Sequence, residues 1–293
     1  MSHDPLHQSH APEYIAEFLG TAALVFFGLS AVVFNFSKDL PMSHWIPDPG
    51  TRRLLTGLCF AGTGSLVAIS PLGRLSGGHI NPAVSLAFWL SGKMRLDDFL
   101  SYVVAQMLGG IMGAALLVGV WHGYAEGVHN GMSVPGNGWS PGCAFIFEAA
   151  LTGLMVLMIF IFVSSRRLMR WTPLMNWFLI AGMVWLEAPI SGTSLNPARS
   201  IGPALMTGEW GDQWIYVVAP LLGAMTGLFI FTAATPEGRR VLTGKLFSVP
   251  HYRTVFKQAA VRPGLAPVLG EAHGCAAAPA TPKNLRSDVL PVA

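Results

Sequence analysis

Two ten-residue stretches decide how this chain is read: Ser76–Ser85, SGGHINPAVS, and Ser191–Ser200, SGTSLNPARS. Each holds Asn-Pro-Ala, at Asn81-Pro82-Ala83 and at Asn196-Pro197-Ala198, and the two asparagines stand 115 positions apart. Asparagine is a good helix N-cap and proline suits the first helical position, so each triplet predicts the start of a helix. From Pro82 to Leu90, and from Pro197 to about Met206, only about ten residues precede the next break. At helical rise that is roughly 15 Å, half a bilayer core. Two half-length helices with the same cap, both set in apolar sequence, predict a pair that meets at the membrane midplane.

Composition agrees with a membrane setting. The 293 residues are 52% hydrophobic and 11% charged, against about 25% charged in soluble domains. The cysteines Cys59, Cys143 and Cys275 suggest neither a disulfide framework nor a metal site, and no cofactor is expected. The polar, His-rich first dozen residues do not read as a secretory signal. Basic residues sit at span ends and in the tail, which gives nucleic-acid binding no support.

In order, residues 1–12 read as a disordered leader and 13–235 as one channel domain, with repeat 1 at about 13–122 and repeat 2 at about 142–235. Full spans are predicted at about Glu13–Phe36, Leu54–Ile69, Phe99–Val120, Ala144–Val163, Leu174–Ile190 and Trp214–Phe231. Ser37–Arg53 reads as a loop and His122–Gly142 as an irregular connector. Residues 236–293 read as a disordered cytoplasmic tail. The fold class is therefore all-α, with six transmembrane helices and two re-entrant half-helices. With both termini inside, fourteen Lys and Arg fall on the cytoplasmic side and four (Lys38, Arg52, Arg53, Arg199) on the other, which predicts cytoplasmic termini.

The halves echo each other. Tyr102-Val103-Val104-Ala105 returns as Tyr216-Val217-Val218-Ala219, Gly109 and Gly113 return as Gly223 and Gly227, and Glu17 and Thr21 match Glu148 and Thr152. Three spans per half make the second copy cross in the opposite sense, an inverted repeat with its site at the midplane. Irregular backbone at that depth must be buried in protein or line a wet cavity. The carbonyls of Gly77, Gly78 and His79, and of Gly192, Thr193 and Ser194, are thus expected to line such a cavity, with the two asparagine amides at its centre. Two helix N-termini, each about half a positive charge at roughly 5 Å, oppose a unit cation by about 3 kcal/mol at an effective dielectric of about 20.

With both motifs in order and Arg199-Ser200 after the second, the sequence resembles the aquaporin, or major intrinsic protein, family over roughly Pro12–Thr235. The resemblance implies a passive channel for water, not an enzyme, with protons and ions excluded as is established for aquaporin-type pores. It implies homotetramers in the plasma (inner) membrane, and roles for Asn81 and Asn196 at the midpoint. Glu17 and Glu148 would brace the re-entrant loops. Arg199 would stand at the outer constriction, with Ala61, Val184 and Thr193 as its companions.

Water-specific members carry an aromatic ring where Ala61 stands and a histidine where Val184 stands. Small residues there predict a wider opening that also admits urea, glycerol or hydrogen peroxide. Ser200, Ala204 and Tyr216 resemble water channels instead, so water ranks first. Glu187, one turn from Val184, either faces Arg199 or is a solvated end-of-span glutamate. Two other classes stay open: a gradient-driven secondary transporter with an inverted repeat, and a non-conducting structural membrane protein.

Overall fold

The computed structural model describes residues 10–235, 241–248 and 255–256, which contain helices and turns and no strand. In chain order the helices are α1 Ala11–Phe36, α2 Met42–Trp45, α3 Pro49–Ile69, α4 Pro71–Ser76, α5 Pro82–Leu90, α6 Leu96–Trp121, α7 Gly123–Glu126, α8 Pro141–Val163, α9 Thr172–Ser191, α10 Pro197–Thr207 and α11 Ile215–Ala234. Single 3-10 turns lie at His129–Gly131 and Met169–Trp171.

The long helices α1, α3, α6, α8, α9 and α11 fall on the six expected spans. Five of these segments are long and apolar enough by themselves to cross a bilayer. The sixth, α3, is diluted by Gly57, Gly62, Thr63, Gly64 and Ser65. It also begins at Pro49 rather than near Leu54, so the expected loop over 37–53 contains α2 and the first turn of α3. The cause is local. The Asp48 carboxylate caps the helix by accepting from Thr51 N at 2.6 Å, and Pro49 occupies the first turn. Arg52 and Arg53, which suggest solvent in a sequence, lie along this helix end and donate to the carbonyls of Asn35 at 2.8 Å and Trp185 at 3.3 Å. The connector 122–142 likewise holds α7 and a 3-10 turn, and α8 starts at Pro141 under a Ser140 cap.

Packing repeats itself. Helix α1 lies on α6 as α8 lies on α11, and glycine permits both approaches. A Cβ on Gly109 or Gly113 would come within 2.4 and 2.6 Å of the carbonyls of Phe18 and Ala22. One on Gly223 or Gly227 would come within 2.2 Å of the carbonyls of Ala149 and Gly153. Small residues four apart let membrane helices touch backbone to backbone. The halves join where α3 packs on α9, and where each half-helix crosses to the other repeat, α5 against α11 and α10 against α6.

The expectation for residues 1–12 falls largely outside the described residues. His10 is described, and its Nδ1 lies 2.6 Å from Asp98 Oδ1. The expectation of a disordered tail from 236 is corrected for 241–248 and 255–256, where Val241, Leu246 and Phe256 are buried against the channel body. Apolar side chains at those three positions have a hydrophobic surface to cover, which composition averaged over the tail hides. The rest of that tail lies outside the described residues.

Candidate functional site

The cap chemistry of the two triplets plays out as the residues dictate. Asn81 Oδ1 accepts from Ala83 N at 2.9 Å and Asn196 Oδ1 from Ala198 N at 3.0 Å, so each asparagine starts its own half-helix. The amide nitrogens then reach across the repeat axis. Asn81 Nδ2 donates to the Leu195 carbonyl and Asn196 Nδ2 to the Ile80 carbonyl, both at 2.9 Å. The loops before the caps share an unusual backbone. Gly77 and Gly192 end the preceding helices at φ 97° and 88°, a left-handed turn that glycine makes without penalty. Ile80 and Leu195 follow at φ 43° and 55°.

Such loops expose N–H groups that a helix would have paired, and a buried carboxylate gathers them in each repeat. Glu17 accepts from Ser76 Oγ (2.6 Å), His79 N (3.0 Å), Ile80 N (2.6 Å) and Gln106 Nε2 (2.7 Å). Glu148 accepts from Ser191 Oγ (2.8 Å), Ser194 N (2.6 Å) and Leu195 N (2.8 Å). Tyrosines finish the cradle, with Tyr102 Oη donating to the Ser76 carbonyl at 2.6 Å and Tyr216 Oη to the Ser191 carbonyl at 2.7 Å. The His79 ring is buried, stacks on Phe88 with centroids 4.7 Å apart, and has its Nδ1 3.1 Å from Ser85 Oγ. Its Nε2 lies 2.8 Å from the Gly244 carbonyl, which can only accept, so the proton sits on Nε2.

One cavity of about 350 Å³ runs past these loops. Its walls include Ala61, Val184, Thr193 and Arg199, the asparagines Asn81 and Asn196, and the loop residues Gly78, His79, Gly192 and Ser194. Gly77 departs from the expectation, because its carbonyl is taken by the Leu246 N–H at 2.9 Å. Pro82, Ala83, Pro197 and Ala198 are buried behind the asparagines as the first turns of α5 and α10.

Arg199 is buried, and three contacts around it are not visible in the sequence. Its Nη1 donates to Ser133 Oγ at 2.6 Å, and its guanidinium lies 5.6 Å from the centre of the Phe60 ring. Gln213 Nε2 holds the Ser133 carbonyl at 2.9 Å. Ser133 belongs to a connector without periodicity, and only the contact itself reveals it. Both readings of Glu187 are corrected. The residue is 4% exposed, so it is not solvated, and its carboxylate accepts from the Thr193 hydroxyl. The turn at Gly192 folds Thr193 back beside α9, while Arg199 points to the connector.

Opposed half-helices around one cavity that both cap asparagines line, inside a helical bundle with an inverted repeat, define a membrane channel. The sequence profile of the major intrinsic protein family matches residues 6–231. Aquaporin NIP1-1 of Arabidopsis thaliana is 37% identical over 224 residues, covering 74% of this chain and 71% of that protein. Aquaporin Z of Rhodopseudomonas palustris is 31% identical over 242 residues, 79% of this chain and 97% of the relative. Among solved structures, the aquaglyceroporin of Plasmodium falciparum superposes with a TM-score of 0.63 at 24% identity, over 77% of this chain and 97% of that one, a likeness of fold. The chain belongs to the major intrinsic protein family, and it is a multi-pass membrane protein that passes water and small solutes passively and catalyses no reaction.

Proposed function

We propose that Asn81 and Asn196 form the midpoint of a single-file water path, and that Ala61, Val184, Thr193 and Arg199 form its selectivity filter. The observation that carries this is the reciprocal pairing of the two caps. Each amide gives one N–H to the opposite loop, and an amide has a second N–H to offer a molecule in the cavity. The carbonyls of Gly78, His79, Gly192 and Ser194 supply acceptors on either side. A water in file exchanges hydrogen bonds for these, while a cation meets two helix N-termini and Arg199.

The side chains at 61 and 184 are small, and the ring on this wall is that of Phe60, 5.6 Å from the Arg199 guanidinium. Urea, glycerol and hydrogen peroxide therefore accompany water. Glu17 and Glu148 are held by four and three donors, which suits a static brace better than ion coupling. The distribution of Lys and Arg supports cytoplasmic termini, and the membrane proposed is the plasma (inner) membrane. The apolar, exposed side chains of Leu100, Val104 and Leu108 on α6 suit contact with lipid or with neighbouring subunits of a homotetramer.

Stopped-flow shrinkage of proteoliposomes tests the reading. Shrinkage faster than in empty vesicles, with slower re-swelling in urea or glycerol, is expected. Rates equal to those of empty vesicles would overturn the channel, and complete exclusion of all three solutes would overturn the wide filter alone.

A further inference from the structure

Residues 241–248 fasten onto the loop end of the pore and place a side chain in it. The segment is anchored to both halves of the molecule. Leu242 N donates to the Val163 carbonyl at the end of α8 at 3.1 Å, and Leu246 N donates to the Gly77 carbonyl at 2.9 Å. The Gly244 carbonyl accepts from His79 Nε2 at 2.8 Å. Lys245 Nζ donates to the carbonyls of Arg74 and Leu75, at 2.6 and 3.1 Å, where α4 ends. The Arg74 guanidinium in turn lies over the Phe247 ring, 5.6 Å from its centre.

These contacts have a cost for conduction. The Gly77 carbonyl and the His79 ring nitrogen are polar groups beside the passage, and the segment occupies both, with the Phe256 ring packed 5.2 Å from that of His79. The Leu246 side chain, 5% exposed, belongs to the apolar cluster of Ala68, Val84 and Met155, and all four line the cavity. Leucine among alanine, valine and methionine makes that stretch of wall apolar, and an apolar constriction gates by shedding water.

We propose that residues 241–248 are an autoinhibitory strap with Leu246 as its plug, so that conduction through this mouth requires the strap to leave. The inference rests on the channel reading above. It adds an inner constriction whose side chain comes from outside the helical bundle.

The test uses the full chain in proteoliposomes, as wild type, Leu246→Ala and Leu246→Trp. Removing the buried isobutyl group weakens docking by about tenfold or more, and where the undocked form is the minor, conducting one, water permeability rises in proportion. Leu246→Trp keeps an apolar group there, fills more of the passage and conducts less than wild type. Hydrogen exchange at the amides of 242 and 246 reads docking independently and is expected to quicken in Leu246→Ala. If all three proteins shrink vesicles at one rate above that of empty vesicles, the strap falls and the channel stands. If none exceeds empty vesicles, both fall.

Discussion

The Thr193 hydroxyl donates to the Glu187 carboxylate, and this contact ties the last turns of α9 to the loop that leads into α10. A hydroxyl has one proton. With that proton committed to Glu187, Thr193 offers a passing solute only lone pairs, while Arg199, which lines the same cavity, offers only donors. The proposed filter thus has an acceptor and a donor in fixed places. In Glu187→Gln the amide oxygen still accepts, and the urea-to-water permeability ratio should stay within about twofold of wild type. In Glu187→Ala the hydroxyl is released, and a hydrogen bond worth about 1 kcal/mol should move that ratio by about fivefold. Stopped-flow rates in urea and in an impermeant osmolyte measure it. One ratio for all three proteins would mean that the contact takes no part in selection.

Glu17 and Glu148 occupy equivalent positions yet are loaded unequally, with four donors on the first and three on the second. Alanine at either site leaves those donors buried without an acceptor. At about 1 kcal/mol for each orphaned donor, Glu17→Ala should lose about 4 kcal/mol and Glu148→Ala about 3. Thermal melting of the purified proteins in one detergent gives the order. Wild-type Tm values in both would remove the bracing role.

The proposed filter carries small side chains at positions 61 and 184. Ala61→Phe adds a ring to the cavity wall that Val184 also lines. Glycerol and urea permeability should fall about tenfold, a barrier of roughly 1.4 kcal/mol, while water falls by about threefold or less. Re-swelling after the initial shrinkage measures the solutes separately from water. Equal losses for water and glycerol would place the solute barrier elsewhere.

How far the sequence could be read depended on the range of the interactions. Capping is local, so Asn81-Pro82 and Asn196-Pro197 marked the half-helix starts, and the break after Leu90 marked one end. The paired glutamates and the glycines of α6 and α11 showed through the internal repeat. The start of α3 lies in a stretch whose Pro and Asp read as a loop, although Asp48-Pro49 is itself a local cap. Ser133, 66 positions from Arg199, carries no pattern of its own. Leu246 reaches Gly77 by a backbone bond that any residue but proline could make, from a tail without periodicity. Glu187 reads as a partner of Arg199 or as a solvated span end, and the turn that brings Thr193 to it lies at Gly192, beyond the helix.

Lys245 makes the strap sensitive to alkaline pH. Burial pushes its pKa down from the ordinary 10.5 to about 8, and the negative charge of Glu13 on α1 opposes that fall. Among the described residues, Arg74, whose guanidinium covers Phe247, and His79, which meets Gly244, also lie against the segment. Undocked, Lys245 titrates near 10.4. Below about pH 8 the amine is protonated in both states, and its titration leaves docking unchanged. Between about 8 and 10.4 the docked strap has lost the proton that the undocked strap still holds, so docking strengthens as pH rises, by about tenfold at pH 9. Water permeability should therefore fall between pH 8 and 10, and in Lys245→Gln this fall should vanish. Shrinkage rates of both proteins, each measured across that range and referred to empty vesicles at the same pH, decide it. A permeability that rises with pH, or an equal slope in Lys245→Gln, would show that this amine does not govern the strap.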